Sequence, residues 1–249
     1  MASPEKKRKL GIAHTLARPN ILALQPYRCA RDDYSEGILL DANENALGPT
    51  MPKKVGDENH NPLTLERYPS PYQIPLKEAY AAYRGHGLRP ENIFVGVGSD
   101  EAIDLLMRIF CAPTTDAIMT TPPTYGMYKV CAAINDVQVI TVPLTPSFDL
   151  RIPEMLAAVT PNTKLMFVCT PGNPTAKAIP LKDIEALASS PEYKGLVVVD
   201  EAYVDFSPLG SAAGLIEKYP NVVVLQTLSK AFGLAGIRLG FALGSDDVI

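Results

Sequence analysis

The chain has 249 residues, of which 47% are hydrophobic and 20% are charged, and its formal net charge is −4. This is the composition of a globular protein with one sizeable core, and its acidic balance argues against nucleic acid or an anionic membrane as a partner. No apolar run approaches the ~20 residues of a membrane-spanning helix, and residues 1–11 lack the apolar segment of a secretory signal.

The four cysteines are widely spaced and form no CxxC pair; they are Cys29, Cys111, Cys131 and Cys169. Three of them lie among apolar or small residues, which predicts reduced, buried thiols in an intracellular protein of the cytoplasm. The three histidines are isolated from one another. No spacing typical of metal ligands occurs, so we expect no metal site.

Residues 1–42 are predicted to form an irregular N-terminal arm. The basic run at residues 6–9 fits either a nuclear-import signal or a solvated terminus, and we favour the second. A basic and aromatic cluster follows at Tyr27, Arg28 and Arg31, and by itself it indicates a solvated turn.

Residues 43–92 are predicted to be an irregular and partly helical segment that leads into the main domain. The stretch 39–50 is rich in Asn, Gly and Pro and indicates a loop. A polar, exposed excursion follows over residues 51–67. The apolar spacing over residues 74–83 then predicts a helix that ends near Gly85.

The pattern becomes regular over residues 93–249, which we predict to be one α/β domain. Strand-like runs occur at residues 93–98, 117–121, 137–142, 164–169, 196–200, 222–227 and 238–243. Amphipathic segments between them, at residues 101–110, 124–135, 152–159 and 181–189, indicate helices. This alternation predicts a seven-stranded, mainly parallel sheet covered on both faces. Ligands of such sheets bind beyond the carboxyl ends of the strands.

The first strand runs into Gly98, Ser99, Asp100 and Glu101 before a helix. A small-residue turn at a helix N-terminus offers free backbone N–H groups to a phosphate. Ser99 or Asp100 can instead act as an ordinary N-cap, and this stretch alone does not separate the two interpretations.

Two further strand ends carry candidate ligand contacts. Tyr125 follows the second strand, where its ring can stack on a planar cofactor or simply pack in the core. Asn173 follows the fourth strand, between prolines and a glycine. Its amide can donate to a ligand oxygen, or the segment can be no more than a tight turn.

Asp200 ends the fifth strand, which is otherwise apolar. A carboxylate buried alone costs several kcal/mol, so it must be paired, hydrogen-bonded or protonated. A protonated pyridine nitrogen is a suitable partner, because the pairing keeps the ring able to accept electrons. Tyr203 lies three residues further on and can donate to an oxygen on the same ring.

The sixth strand leads to Thr227, Ser229 and Lys230, and Arg238 follows a glycine-containing loop. We expect Lys230 to be poorly hydrated, which would favour the neutral amine that forms a Schiff base with an aldehyde. The two hydroxyls and the arginine suit a phosphate. An aldehyde and a phosphate on one small molecule describe pyridoxal 5'-phosphate.

Seven segments carry a family resemblance: LDANENALGP, RYPSPY, GVGSDEAIDLLMR, PPTYGMY, TPGNPT, VVVDEAYVDF and TLSKAFGLAGIRLG. They resemble those of the fold-type I pyridoxal-phosphate aminotransferases, and most closely the histidinol-phosphate branch. The resemblance extends from about residue 27 to the last residue. It implies a three-layer large domain, and a cytoplasmic homodimer that acts on amino-acid and phosphate-bearing substrates.

The resemblance implies a role for each candidate residue. Lys230 would hold the cofactor covalently and later shuttle a proton, and Asp200 would pair with the pyridine nitrogen. Asn173 and Tyr203 would bond the phenolic oxygen, and Tyr125 would stack on the ring. The residues around the phosphate would be Ser99, Asp100, Thr227, Ser229 and Arg238.

Three more assignments rest on the resemblance alone. Tyr68, in the RYP motif, would reach the cofactor phosphate of a partner subunit, and Tyr27 and Asn43 would face the substrate. The implied reaction moves an amino group between glutamate and imidazole-acetol phosphate to give histidinol phosphate and 2-oxoglutarate in histidine biosynthesis.

The chain departs from the family pattern at two places. Ala176 stands where relatives have glycine, and the sequence ends at Ile249, before the small C-terminal domain and its substrate-binding arginine. Two alternatives stay open, and the missing C-terminal portion favours the second of them. One is a sister enzyme, either a threonine-phosphate decarboxylase or an aromatic aminotransferase; the other is a pseudoenzyme that binds the cofactor without catalysis.

Overall fold

A computed structural model describes residues 11–25, 38, 41–50 and 65–249. The described residues fall into two compact units, one within residues 24–76 and one that joins residues up to 23 with residues 77–249. The basic run at residues 6–9 and the predicted substrate residue Tyr27 lie outside the described residues.

The smaller unit contains a buried carboxylate, that of Glu44. The Glu44 side chain is only 3% exposed, and it pairs with Arg67 at 2.8 Å. It also accepts a hydrogen bond from the backbone N–H of Tyr68 at 2.6 Å. These bonds tie the 41–50 loop to the segment around residues 67–68.

Seven strands and seven α-helices make up the regular structure of the described chain. The helices are α1 (Ile12–Leu16), α2 (Pro19–Leu22), α3 (Ile74–Arg84), α4 (Gly98–Phe110), α5 (Met127–Ile134), α6 (Ile152–Ala157) and α7 (Leu181–Ala188). The strands are β1 (Ile93–Val97), β2 (Ala117–Thr120), β3 (Gln138–Thr141), β4 (Thr163–Cys169), β5 (Leu196–Asp200), β6 (Val222–Thr227) and β7 (Leu239–Leu243). None of the described helices is both long and apolar enough to cross a bilayer.

All seven strands form one sheet in the order β1-β7-β6-β5-β4-β2-β3. Strand β7 runs antiparallel to β1 and β6, and the other neighbours are parallel. The prediction of a seven-stranded, mainly parallel sheet is therefore confirmed. The carboxyl ends of β1, β2, β4, β5 and β6 consequently lie along the same edge.

Helices cover both faces of this sheet, which explains why its central strands are continuously apolar. Helices α4 and α5 pack against one face in a buried cluster that includes Phe110, Tyr128 and Phe167. Helices α6 and α7 contact each other, and α7 also contacts β5. Burying each large side chain contributes roughly 1.5–3 kcal/mol.

The start of α4 corrects one predicted alternative. The helix begins directly at Gly98, whose φ of +70° few other residues adopt, and its N-cap position is Val97. Neither Ser99 nor Asp100 is therefore the N-cap residue, and Val97 provides no side-chain cap. The first-turn N–H groups are left without that partner.

A tight turn after β4 holds Ala176 in a left-handed conformation with φ of 55°. Its N–H donates to the Gly172 carbonyl at 2.8 Å. A side chain in this conformation clashes with the following carbonyl at a cost of about 1–2 kcal/mol, whereas glycine avoids the clash but has a more flexible unfolded state. We expect Ala176→Gly to raise the free energy of unfolding by about 0.5–1 kcal/mol in urea denaturation.

Ala79→Gly is the matched control, because Ala79 is exposed in the interior of α3. It is expected to lower stability by about 1 kcal/mol. If both variants were destabilised equally, the left-handed conformation at Ala176 would carry no strain.

Candidate active site

A cavity lies at the carboxyl edge of the sheet, where the topology rule places ligands. Ten of the predicted cofactor-site residues line it: Ser99, Asp100, Tyr125, Asn173, Asp200, Tyr203, Thr227, Ser229, Lys230 and Arg238. Gly98, from the predicted phosphate-binding turn, also lines it, and the sequence pattern did not single out the three other lining residues, which are Cys169, Ala202 and Ala235. Residues from five separate strand ends are thus brought together.

The remaining described candidates belong to the smaller unit. Asn43 is exposed in a loop, with φ of 53°. Tyr68 is 68% exposed. Their assigned contacts with substrate and with a partner's cofactor stay predictions, as does that of Tyr27.

Asp200 is the most deeply buried acid of the cavity, with 3% of its surface exposed. One carboxylate oxygen accepts a hydrogen bond from the Tyr128 hydroxyl at 2.6 Å, and the other accepts from the Ala202 N–H at 3.2 Å. Burial raises the pKa of Asp200, and these two hydrogen bonds oppose that rise. Neither donor is charged, so neither neutralises the carboxylate.

Lys230 reaches the cavity from a loop. Strand β6 ends at Thr227, and the chain then turns outward, with the Gly233 N–H donating to the Lys230 carbonyl at 3.0 Å. Lys230 is exposed, so the expectation of a desolvated lysine is wrong. Its Nζ atom lies 5.4 Å from the centroid of the Tyr203 ring, a cation–π contact that holds the side chain over the cavity.

One side of the cavity has hydroxyl and guanidinium groups that can bind an anion. The Thr227 hydroxyl donates to the Ser229 hydroxyl at 2.9 Å. The Arg238 guanidinium lies 3.9 Å from Asp100, and both side chains are partly exposed. Nη1 of Arg238 also donates to the Ala235 carbonyl at 3.2 Å. Because the pair with Asp100 is long and solvated, it holds Arg238 weakly and leaves the Nη2 group available to a phosphate.

Strand β7 approaches the start of α4 closely at Gly240. A Cβ atom at Gly240 would lie 2.2 Å from the Gly98 carbonyl carbon and 2.3 Å from the Ser99 nitrogen. Only glycine allows this approach, which fixes the first turn of α4 beside Arg238.

Tyr125 lines the cavity and also packs against protein, while its stacking on a cofactor stays a prediction. Its hydroxyl donates to Asp100 at 3.1 Å, and its ring meets the Tyr128 ring edge-on, with centroids 5.7 Å apart. Burial, followed by the charge of Asp100, raises the pKa of Tyr125 to about 12. The phenol therefore stays neutral at physiological pH.

A buried network of hydrogen bonds connects residues at the carboxyl ends of β5 and β6. Glu201, adjacent to Asp200, is 2% exposed and accepts hydrogen bonds from the Ser211 hydroxyl, the Ala212 N–H and the Gln226 amide. The Tyr80 hydroxyl donates to the other end of Gln226 at 2.6 Å. Helix α3 and strands β5 and β6 are thereby joined beneath the cavity.

Cys169 is the one cysteine that lines the cavity within the described chain. Burial raises the pKa of its thiol to about 12, so it does not present a thiolate nucleophile. No described group of three or more His, Cys, Asp and Glu side chains is arranged to hold a metal ion.

Sequence reasoning also missed Tyr128, which is completely buried. A signal for it existed, because the helix predicted over residues 124–135 would place Tyr128 on the same face as Tyr125, three residues earlier. In the structure, α5 begins only at Met127. The donor set as a whole fits pyridoxal phosphate: a primary amine, a buried carboxylate, an aromatic face, and a cation beside hydroxyls and a helix N-terminus.

Comparisons with known proteins cover most of the chain. The model of the family "Aminotransferase class I and II" matches residues 35–249. The histidinol-phosphate aminotransferase of Candida maltosa is 50% identical over 248 residues, covering 94% of this chain and 63% of the relative. That of Saccharomyces cerevisiae is 48% identical over 249 residues, with the same coverage of 94% and 63%.

A solved structure shows the same fold with a ligand. The histidinol-phosphate aminotransferase from Sinorhizobium meliloti, in complex with pyridoxal-5'-phosphate, has a TM-score of 0.65 and 28% identity. The match covers 83% of this chain and 56% of that one. The present chain spans about 63% of the length of the curated relatives it matches.

Proposed function

This chain belongs to the class I and II aminotransferases, and we propose that it transfers an amino group between L-glutamate and imidazole-acetol phosphate. The products are L-histidinol phosphate and 2-oxoglutarate, a step of histidine biosynthesis. The observation that carries the proposal is the convergence of Lys230, Asp200 and Arg238 on one cavity. The choice of substrate is supported by the names of relatives that are 48–50% identical.

The proposed cofactor is pyridoxal 5'-phosphate, which supplies an aldehyde and an electron-accepting ring when bound. Lys230 would bind it covalently, Asp200 would hold its ring nitrogen, and Tyr125 would cover its ring. Asn173 and Tyr203 would bond its phenolic oxygen. The phosphate would be held by Ser99, Asp100, Thr227, Ser229 and Arg238.

Lys230 also has a proposed role in proton transfer. Lys230 is an exposed residue that reaches the cavity from a loop, so its side chain can move once a substrate amine has displaced it. The freed amine would take a proton from the substrate carbon and return it at a different position, as a general base and then a general acid. The Tyr203 ring would hold the ammonium form nearby.

Further parts of the proposal concern the assembly. We propose a cytoplasmic homodimer in which Tyr68 contacts the partner's cofactor phosphate, with Tyr27 and Asn43 facing the substrate. Residues 93–249 would form the cofactor-binding domain. These parts are supported by the family resemblance.

The proposal predicts that the chain turns yellow with pyridoxal phosphate and that borohydride fixes the cofactor onto the peptide containing Lys230. Histidinol phosphate should then bleach the yellow band at least ~10-fold faster than phenylalanine, because the phosphate group adds binding energy. Absorbance after rapid mixing measures this. Faster bleaching by threonine phosphate or an aromatic amino acid would favour a sister enzyme.

Two other outcomes would contradict transamination. If the cofactor binds but no amino donor bleaches the band, the chain is a cofactor-binding protein without catalysis. If folded protein binds no cofactor at all, the proposed function is wrong.

A further inference from the structure

Tyr128 occupies a fixed position beneath the cavity. Its ring is completely buried and stacks on Phe167 of β4, with ring centroids 4.6 Å apart and an interplanar angle of 20°. The Tyr125 ring meets it edge-on, at an interplanar angle of 86°. Because rings confine it on two sides, its hydroxyl has little freedom to leave Asp200.

The hydrogen bond from Tyr128 to Asp200 has a defined direction. Burial, followed by the negative charge of Asp200, raises the pKa of Tyr128 well above its usual value. The hydroxyl is therefore protonated and donates to the carboxylate at 2.6 Å. Together with the N–H of Ala202, it holds both carboxylate oxygens in place.

The groups facing Asp200 come from several elements. They are Asp100 of α4, Tyr125 before α5, Tyr128 of α5, Cys169 of β4 and Lys230 in the loop after β6. Burial and Asp100 raise the pKa of Asp200, whereas the Tyr128 hydroxyl, the Ala202 N–H and Lys230 lower it. Among these groups, Tyr128 is thus the only side chain that lowers the pKa of Asp200 through a direct hydrogen bond.

We propose that Tyr128 is a positioning residue, whose hydroxyl aims the Asp200 carboxylate into the cavity and, by donating a hydrogen bond, favours its ionised form. This inference rests on the proposed function in one respect, namely that Asp200 receives a cationic ring nitrogen. A protonated or rotated carboxyl group would lose that charge pairing.

Tyr128→Phe tests the proposal, because it keeps both ring contacts and removes only the hydroxyl. Tyr193→Phe is the matched control. Tyr193 is 2% exposed, and its hydroxyl donates to the backbone carbonyls of Leu196 at 2.7 Å and Lys164 at 3.1 Å, at the start of β5 and within β4. Both variants delete one buried phenolic hydroxyl, but only Tyr128→Phe removes a hydrogen bond to Asp200.

The first readout is the dissociation constant of pyridoxal phosphate between about pH 5 and pH 9, the range in which a raised carboxyl pKa is visible. Tyr128→Phe should weaken binding about tenfold at neutral pH, the size of a lost hydrogen bond to a charged group. Its affinity should also fall off at a higher pH than that of the wild type, because a higher pKa protonates Asp200 sooner as the pH drops. Tyr193→Phe should follow the wild-type curve.

The second readout does not need the cofactor. Aspartate labelled with ¹³C at the carboxyl carbon reports the titration of Asp200 by NMR, and Asp200→Asn identifies the signal by its loss. The midpoint should lie at higher pH in Tyr128→Phe than in the wild type and should be unchanged in Tyr193→Phe. If Tyr128→Phe does not fold, 3-fluorotyrosine labelling, which makes the hydroxyl a stronger donor, should move the midpoint to lower pH.

The outcomes separate the two proposals. A wild-type chain that binds no cofactor contradicts the proposed function, while the NMR comparison still decides the role of Tyr128. An Asp200 midpoint that moves neither with Tyr128→Phe nor with fluorotyrosine overturns the inference, whatever the cofactor does.

Discussion

Replacing Lys230 with alanine is expected to abolish covalent attachment of pyridoxal phosphate and to slow amino transfer by at least about 10³-fold, since nucleophile and proton carrier are lost together. Lys230 is the only lysine among the described residues that line the cavity. After borohydride treatment, intact-mass spectrometry should show the cofactor's added mass on the wild-type chain and none on the variant.

Lys177→Ala is the control for this variant. Lys177 belongs to the turn after β4, close to the cavity, but its ammonium pairs with Asp149 at 2.8 Å. This variant should be labelled like the wild type. Equal labelling of Lys230→Ala would show that another amine carries the cofactor.

The Lys230→Ala variant should still bind the cofactor without a covalent bond. Asp200, Arg238 and the first turn of α4 reach the cavity from β5, from the loop before β7 and from a helix start. None of these depends on Lys230 for its position. Binding that equilibrium dialysis detects and borohydride does not fix would therefore separate loss of the amine from loss of the site.

The sheet could be predicted from sequence because its strands are buried on both faces. Strands β5 and β6 each begin with four consecutive valine and leucine residues, a pattern typical of central strands in a covered sheet. The position of the site followed from the same prediction, since parallel strands bring their carboxyl ends to one edge.

Contacts that depend on side-chain direction could not be predicted. The bond between Tyr128 and Asp200 joins residues 72 positions apart, and no local pattern specifies it. The exposure of Lys230 depends on the loop after β6, which turns outward for reasons that the strand pattern does not contain. Tyr27, Asn43 and Tyr68 are assigned by resemblance alone, because neither spacing nor periodicity indicates a role for them.

Asp200→Asn is expected to weaken the binding of pyridoxal phosphate about 100-fold or more, because breaking a buried ion pair costs about 3–5 kcal/mol. The asparagine has nearly the same shape, so the cavity keeps its walls. Titration of the cofactor by absorbance at neutral pH measures the loss. An affinity within a factor of three of the wild type would show that Asp200 does not hold the ring nitrogen.

The same substitution is expected to stabilise the chain when no cofactor is present. Burial raises the pKa of Asp200 in the folded state above its unfolded value of about 3.9. Its stabilising contribution is therefore complete below the unfolded value and is lost as the pH rises through the folded one. Asparagine resembles the protonated acid, so the advantage of the variant should grow with pH.

Urea denaturation of the cofactor-free proteins at about pH 5 and pH 8 tests this expectation. At the higher pH, we expect the free energy of unfolding of Asp200→Asn to exceed that of the wild type by about 1–3 kcal/mol. In asparagine, one of the two carboxylate oxygens becomes an NH2 group. Where that group faces the Ala202 N–H, two donors meet and a hydrogen bond is lost, so we expect a gain at the lower end of this range. Asp149→Asn is the opposite case: the hydrogen bond from Lys177 lowers the pKa of the partly exposed Asp149, so this variant should be less stable than the wild type at pH 8. If Asp200→Asn were less stable by the same amount at both pH values, the buried carboxylate would not be a source of instability. A gain in stability would show that the Asp200 carboxylate lowers the stability of the cofactor-free fold. A bound cationic ring would compensate this charge.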